Sequence, residues 1–246
     1  MTLQSIEHLF SSDPVATLKS GLRFVHFVGL ALGLGAATLL DLLILRYCLR
    51  GRIEAETFKI FVFSTRVIGL GLRILWITGV GFLFLYALFD KANLYNPKVH
   101  AKLVIVAILS LNGVFIHSFI LPILKAQVGK SLFDGISPVK RSLFVTSGAV
   151  SAVSWYVPVA LGVFSQLNFA VPALTLLSVY LLLIAVAALI MNFIMHLMDH
   201  DAPPPALQPA VQTWTESRGQ RARRRQFQRA QAFEPSTLVS SPNSAV

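Results

Sequence analysis

Residues 171–197 read VPALTLLSVYLLLIAVAALIMNFIMHL and contain no Asp, Glu, Lys or Arg. A transmembrane helix needs about 20 mostly apolar residues to cross roughly 30 Å of hydrocarbon, and this stretch is longer than that. A strand of an outer-membrane barrel would alternate apolar and polar positions, whereas this stretch is apolar without a break. It therefore predicts a helix that spans a membrane.

Four more runs of the same kind precede this one, and together they account for most of the chain. The five runs cover residues 22–46, 59–89, 99–124, 142–164 and 171–197. Charged residues make up 13% of the chain, about half of the share that is usual in a soluble domain. Because lipid offers no partner for backbone polar groups, helices are the expected form. The sequence predicts an all-α bundle of about five transmembrane helices within residues 22–199.

The basic residues between the runs predict the orientation. One set of loops holds Arg46, Arg50, Arg52, Lys59, Lys125, Lys130, Lys140 and Arg141, and the arginine-rich C-terminal segment lies on the same side. The opposite side holds fewer basic residues, namely Lys19, Arg23, Lys91, Lys98 and Lys102. Lys and Arg are enriched in cytoplasmic loops. We therefore expect a multi-pass protein of the cell (inner) membrane, with its N-terminus outside and its C-terminus in the cytoplasm.

The two ends of the chain differ from the apolar part. Residues 1–21 have moderate apolar content and predict a segment lying on the outer membrane surface. Residues 200–246 are rich in Pro, Gln, Arg and Ser and predict a disordered, basic cytoplasmic tail. The net charge of +10 lies mainly in this tail and in loops rather than on a folded face. Membrane topology accounts for such charges, and no nucleic-acid partner is expected.

Small residues in the first two runs predict close helix packing. Gly29, Gly33 and Ala37 recur at four-residue spacing in the first run, and Gly69 and Gly71 lie in the second. Residues without a large side chain allow the backbones of two helices to approach each other in lipid. These glycines lie inside apolar spans, so they do not form a phosphate-binding loop.

One group of ionisable residues is predicted near the outer surface. His26 in the first run, together with His100 and Lys102 in the third, would lie at similar depth. Ionisable residues at membrane depth are costly and indicate function. Imidazole nitrogen is a good axial ligand of haem iron, and a lysine can bind iron as the neutral amine. We therefore expect His26 and Lys102 to bind a metal or haem b, with His100 as an alternative ligand.

A second group is predicted in the inner half of the membrane. Asp41 and Arg73 would form a structural ion pair, because pairing offsets the cost of burying either charge. His117 is a further candidate metal ligand. Pro122 lacks the N–H that would bond to Ser118, so a local irregularity is expected at that point of the third helix.

Two short segments resemble those of a known family. Residues 23–30 (RFVHFVGL) resemble the first helix of HemJ-type protoporphyrinogen oxidases and of the related CopD-like membrane proteins. Residues 100–106 (HAKLVIV) resemble the segment that opens the third helix in the HemJ type. In that family the histidine and the lysine of these segments are associated with b-type haem. The matching residues are His26 and Lys102, so the resemblance implies haem b bound by this pair.

The chain also departs from the family pattern. Residues 32–37 read LGLGAA where the family has aromatic residues, and the fifth helix and the basic tail extend a pattern of four helices. The resemblance is therefore to a distant relative, and it implies a haem-dependent redox or electron-transfer role more than protoporphyrinogen oxidation itself. A quinone or a porphyrin would be the lipid-soluble partner of that role.

Two other classes of function remain open at this point. A small transporter or copper-handling protein would use the same histidines along a pathway, although the single cysteine, Cys48, cannot build a thiolate site. A non-catalytic membrane assembly subunit would use its polar residues only for helix contacts. The sequence leaves open whether the chain is an enzyme and whether it forms homo-oligomers.

Overall fold

A computed structural model describes residues 14–49 and 53–200, and these residues are almost entirely helical. The helices are α1 (Pro14–Leu49), α2 (Ala55–Phe89), the single turn α3 (Lys91–Leu94), α4 (Pro97–Phe115), α5 (Leu121–Ala126), α6 (Pro138–Val163) and α7 (Ala173–His200). A π-helical turn, Ile116–Ile120, joins α4 to α5 without a break, and a 3-10 turn, Ser165–Leu167, follows α6.

Five helical segments are long and apolar enough to cross a membrane. They are Pro14–Tyr47, Ala55–Phe89, Pro97–Ala126, Pro138–Val163 and Ala173–Leu197. The predicted all-α architecture with five transmembrane helices is thereby confirmed, and the chain is a multi-pass membrane protein. Residues 14–21, which belong to the predicted N-terminal surface segment, are helical and continuous with the rest of α1. The rest of the predicted N-terminal segment, and the tail after His200, lie outside the described residues.

Prolines mark where most of these helices begin. Pro14, Pro97 and Pro138 each stand at the first position of a helix, and Pro172 directly precedes α7. The first N–H groups of a helix have no partner within it, so proline loses nothing at that position. Before Pro97 the Asn96 side chain accepts a hydrogen bond from the Lys98 N–H at 3.1 Å, which caps α4.

The expected irregularity in the third membrane-spanning segment takes the form of the π turn. Since Pro122 has no N–H, the carbonyl of Ser118 loses its usual partner. The chain absorbs the change by widening the turn, and the N–H of Leu121 bonds to the carbonyl oxygen of Ile116, five residues earlier. His117 lies within this widened turn.

Helices α1 and α2 approach each other closely through their glycines. A Cβ atom placed on Gly71 would lie 2.5 Å from the backbone nitrogen of Gly33 and 2.7 Å from the carbonyl oxygen of Gly29. On α1 the indole ring of Trp155, from α6, occupies the space that a side chain on Gly33 would need. The predicted role of this glycine spacing in helix packing is confirmed.

Two clusters of buried apolar side chains connect the helices further. Ala37, Leu75, Leu109 and Trp155 form one buried cluster that brings together α1, α2, α4 and α6. A second cluster joins α4 and α6 to the first part of α7. It consists of Ala101, Ile105, Leu161, Leu176 and Tyr180.

Two loops at the end of the bundle opposite α3 are joined by backbone hydrogen bonds. The N–H of Ile53 donates to the carbonyl oxygen of Lys130 at 3.0 Å, and the N–H of Gly129 donates to the carbonyl oxygen of Ile53 at 2.7 Å. This short parallel bridge ties the start of α2 to the loop between α5 and α6. Ile53 itself is fully buried.

Candidate functional site

His26 lies on α1 and faces α2, about one helical turn before Gly29. Its Nδ1 atom lies 2.7 Å from the hydroxyl oxygen of Thr78, which is buried. The Thr78 hydroxyl itself donates to the carbonyl oxygen of Ile74 at 2.7 Å. When the hydroxyl proton lies on this carbonyl, the Thr78 oxygen accepts from His26 and the imidazole proton lies on Nδ1.

This assignment decides what the other nitrogen of the ring can do. With the proton on Nδ1, Nε2 carries the free lone pair of the ring and can bind a metal ion or accept a proton. The Thr78 bond also fixes the orientation of the ring, as the second hydrogen bond of a metal-binding histidine does. Phe82, one turn further along α2, packs edge-on against the imidazole with the ring centroids 5.7 Å apart.

Lys102 reaches the same region from α4. A Cβ placed on Gly162 of α6 would lie 3.8 Å from its Nζ atom. The absence of a side chain on Gly162 leaves room for the amine. Lys102 thus lies against α6, whereas the contacts of His26 are with Thr78 and Phe82 of α2.

The nearby Lys98 has a different task. It is 4% exposed, and its Nζ donates to the carbonyl oxygen of Phe164 at 2.8 Å. This bond caps the end of α6, where the last carbonyls of the helix lack partners.

The other predicted histidine ligands lie apart from this pair. His100 and His117 are both exposed on the surface of the bundle. Within residues 14–49 and 53–200, no group of three or more His, Cys, Asp or Glu side chains is arranged to hold a metal ion. Of the predicted ligands, His26 and Lys102 are therefore the two that are partly buried within the bundle.

Asp41 and Arg73 do not meet within the chain. The ion pairs in the described part of the chain are Lys19–Asp90 and Lys59–Glu56. The antiparallel register of α1 and α2 gives the reason. Since Thr78 lies level with His26, Arg73 lies level with residue 31, about 15 Å along the helix axis from Asp41. Arg73 is exposed and Asp41 is partly buried.

Most other polar side chains at membrane depth join two helices. The indole N–H of Trp76 donates to the Ser110 hydroxyl at 2.9 Å, linking α2 to α4. Asn112 donates to the carbonyl oxygen of Ser147 at 3.0 Å and accepts from the Ser147 hydroxyl at 3.2 Å, linking α4 to α6. These bonds close locally, at separate depths, and do not form one continuous polar path.

Sequence reasoning did not identify Thr78 or Gly162 as parts of the site. Both are ordinary residue types for a membrane helix, and they lie 52 and 60 positions from the side chains that they contact. The positions of the glycines could have predicted that Thr78 lies opposite His26. Pairing Gly33 with Gly71 sets an antiparallel register, and that register places Thr78 opposite His26.

Comparison with known proteins does not extend these observations. No protein-family model, no curated protein and no solved structure matches this chain.

Proposed function

We propose that this multi-pass membrane protein binds haem b and serves in electron transfer, and that His26 and Lys102 would hold the haem. The observation that carries the proposal is the hydrogen-bond chain from His26 through Thr78 to Ile74. It holds the imidazole in one orientation and leaves Nε2 as a bare nitrogen base.

Lys102 suits the second position for electrostatic reasons. An amine must be neutral to bind iron, and an apolar surrounding disfavours its charged form. Among the described residues no acidic side chain forms an ion pair with Lys102. A carboxylate beside it would hold the ammonium in its charged form, so the lack of one is compatible with a ligand role.

An aromatic side chain lies beside one of the proposed ligands, since Phe82 packs edge-on against His26. Beside the other ligand a Cβ on Gly162 would lie 3.8 Å from the Lys102 Nζ atom, so the glycine leaves this amine unobstructed. Haem would supply one-electron chemistry at this place, while the protein would set its position and potential through the two ligands.

The resemblance to HemJ-type proteins supports the same pair. It rests on the segments that contain His26 and Lys102, and the fifth helix lies outside it. The proposal is accordingly haem binding with a redox role, with a quinone or porphyrin as the lipid-soluble partner. The inner membrane is the proposed location, because it holds helical bundles whereas outer-membrane proteins are barrels.

The first test is an absorbance spectrum of the purified protein in detergent, oxidised and then reduced with dithionite. We expect a Soret band and reduced b-type peaks from the unaltered protein, and their loss in His26→Ala and Lys102→Ala. Thr78→Val should keep the ligand but weaken haem retention about 10- to 100-fold, since it removes the support of the ring.

Exposed histidines and a distant hydrogen bond provide the matched controls. His100→Ala and His117→Ala should leave the spectrum unchanged, because both side chains are exposed on the surface of the bundle. Trp76→Phe removes another interhelical hydrogen bond of α2 and should not affect haem retention. A colourless protein after expression with haem precursors supplied would contradict the proposal, as would a spectrum that depends on His100 and not on His26.

A non-catalytic assembly subunit is the second candidate. It is favoured by the hydrogen bonds Trp76–Ser110 and Asn112–Ser147. Each of them joins two helices, and neither is connected to a larger polar network. The same spectrum separates the two functions, because an assembly subunit would be colourless. No contact in the described residues specifically favours the transporter or copper-handling alternative.

A further inference from the structure

One face of α2 is exposed along the length of the helix that spans the membrane. Its residues are spaced alternately by three and four positions, so they form one row along the helix. The exposed row of α2 consists of Phe63, Arg66, Leu70, Arg73, Ile77, Val80 and Phe84. Its apolar members suit a lipid surface, whereas the two arginines do not.

Arg73 lies close to the middle of the membrane-spanning segment Ala55–Phe89. Since half of the hydrocarbon layer is about 15 Å thick, each headgroup region lies about 15 Å away from this level. Arg66 lies two helical turns closer to one of them, where a long basic side chain can extend to the headgroups. Arg73 is therefore the residue of the exposed row that is hardest to accommodate in lipid.

The Arg73 side chain runs along its own helix instead of reaching an interface. A Cβ atom placed on Gly69 would lie 3.9 Å from the Nη2 atom of Arg73, so the guanidinium lies about one turn closer to Ala55 than its own Cα atom. One turn spans about 5 Å, so about 10 Å of hydrocarbon separates the guanidinium from the nearer headgroups. The charge thus remains at membrane depth.

Nothing in the described part of the chain neutralises this charge. The ion pairs there are Lys19–Asp90 and Lys59–Glu56, and the Arg73 guanidinium has no hydrogen-bond partner among the same residues. Arginine remains charged in proteins, so it cannot avoid the cost of burial in lipid by becoming neutral. Ionisable groups at this depth pair with an opposite charge, and we therefore expect a carboxylate that the described residues do not supply.

A second copy of this chain would not supply that carboxylate. Copies inserted with one orientation keep each residue at the same depth, and the acidic residues of the membrane-spanning segments are Asp41 and Glu56. Asp41 lies about 15 Å from the level of Arg73 along the helix axis, and the guanidinium covers about a third of that distance. Glu56 lies farther away, beside Lys59 at the start of α2.

The carrier of the carboxylate has to be a membrane-spanning helix. A segment at this depth must satisfy its backbone polar groups internally, which a helix does. Residues 1–13 and 201–246 contain no apolar run long enough to span the membrane, so neither provides such a helix. Leu70 and Ile77, on either side of Arg73 in the exposed row, offer apolar surface against which a helix can pack.

We propose that the exposed row of α2 binds a transmembrane helix of another protein, and that an Asp or Glu at the centre of that helix pairs with Arg73. The guanidinium would donate two parallel hydrogen bonds to the carboxylate, and each group would offset the cost of burying the other. Arg66 would remain at the headgroups. Because neither His26 nor Lys102 belongs to the exposed row, the proposal is independent of haem binding.

The test uses designed peptides in place of the partner. Each peptide is a membrane helix of Leu and Ala with Glu, Gln or Leu at its centre, where the depth of the side chain is the same for both orientations of the peptide. Energy transfer between the dye-labelled full chain and the labelled peptide measures their association in phosphatidylcholine vesicles. We expect the Glu peptide to bind about ten-fold more tightly than the Gln peptide, as one charge-assisted pair implies. The Leu peptide should bind no better than the Gln peptide.

Two variants locate the effect on the exposed row. Arg73→Gln should lower the affinity for the Glu peptide to that for the Gln peptide. Its midpoint of thermal unfolding in detergent should not be lower than that of the unaltered protein, because the exposed guanidinium holds no other part of the described chain. Arg66→Gln is the matched control, since it removes the same charge from the same row two turns away. It should keep the preference for the Glu peptide.

Three results would overturn the proposal. One is equal binding of the Glu and Gln peptides to the unaltered protein, which would mean that the exposed row does not recognise a carboxylate. Another is an equal loss in Arg66→Gln and Arg73→Gln, which would indicate diffuse attraction between charges. The third is energy transfer between two full-length copies that falls in Arg73→Gln, which would make a second copy the occupant.

Anionic lipid is the remaining alternative occupant, and it is tested in the same vesicles. Replacing part of the phosphatidylcholine by phosphatidylglycerol should leave the preference for the Glu peptide unchanged, because the guanidinium lies too deep for a headgroup phosphate to reach it. If the preference disappeared, lipid would be the group that neutralises Arg73 and the proposal would be wrong.

Discussion

Two neighbouring helix pairs in this protein are held together by different means. Between α1 and α2 the backbones touch, and a Cβ on Gly71 would collide with backbone atoms of α1. Between α6 and α7 side chains separate the helices, and hydrogen bonds join them. Ser154 and Tyr180 bond at 2.8 Å, and Asn192 donates to Thr146 at 3.3 Å.

The difference follows from what lipid allows. Lipid tails are as apolar as leucine, so burying apolar side chains between membrane helices gains little. Close packing and polar contacts are what remain, and this chain uses the first for α1–α2 and the second for α6–α7. We therefore expect the α1–α2 pair to be sensitive to added volume and the α6–α7 pair to lost hydrogen bonds.

The largest effect is expected from Gly71→Ala. The added methyl group would lie 2.5–2.7 Å from backbone atoms of Gly33 and Gly29, and backbone atoms cannot move aside cheaply. Overpacking of this kind costs about 1–3 kcal/mol, and we expect a value near the upper end. Thermal or denaturant unfolding in detergent micelles, followed by tryptophan fluorescence, measures the loss.

Gly79→Ala is the control on the same helix, since a Cβ at that position meets no atom within 4 Å. It should be neutral or slightly stabilising, because alanine favours the helix. If the two variants were equally stable, the close contact between α1 and α2 would carry no stability, and the contrast between the two pairs would disappear.

The architecture was predictable from sequence because its causes are local. The lengths of the five apolar runs match the thickness of the bilayer, and the spacing of Gly29 and Gly33 predicts a close contact between helices. Pro122 likewise predicted an irregularity in the third segment, and the structure shows a π turn at Ile116–Ile120.

The arrangement of side chains was less predictable because it depends on register. Similar depth suggested that His26, His100 and Lys102 would meet, but His100 lies on a different face of α4 and is exposed. Opposite charge suggested Asp41 and Arg73 as a pair, but the register of the hairpin separates them along the helix axis. Depth gives only the position of a residue along the helix axis. A contact also requires that both side chains lie on the sides of the helices that face each other.

A smaller effect is expected at the α6–α7 contact, and it should be asymmetric. The Ser154 hydroxyl donates to the carbonyl oxygen of Val150 at 2.6 Å, so the Tyr180 hydroxyl is the donor in the Ser154–Tyr180 bond. Tyr180→Phe should cost about 0.6 kcal/mol, the average for such bonds in membranes. Ser154→Ala should cost about 1–2 kcal/mol, because it leaves the fully buried Tyr180 hydroxyl without an acceptor.

A double-mutant cycle with both changes isolates the bond itself. Ser178→Ala is the control, since the exposed Ser178 hydroxyl bonds only within its own helix, to Leu174. If Tyr180→Phe cost more than Ser154→Ala, or if the cycle showed no coupling, side-chain packing would hold α7 and the second half of the comparison would be wrong.

The smallest effect is expected at the end of the α1–α2 pair that adjoins α3, where Lys19 lies 3.7 Å from Asp90. The Asn93 side chain, which donates to the Asp90 carboxylate at 2.8 Å, holds the pKa of Asp90 below its ordinary value, and the Asn93 N–H and Lys19 act in the same direction. A lowered pKa means that the stabilising contribution is present above the unfolded value of about 3.9. It is lost as the pH falls through the lower folded value.

Unfolding midpoints measured from pH 7 down to pH 3 should therefore show a slightly smaller decrease in Asp90→Asn than in the unaltered protein. Asn93→Ala should remove more of this difference than Lys19→Gln, because the Asn93 side chain is the stronger influence on Asp90. The exposed pair Lys59–Glu56 provides the control through Glu56→Gln. A larger effect from Lys19→Gln, or one comparable with that of Gly71→Ala, would show that charge rather than glycine packing holds α1 against α2.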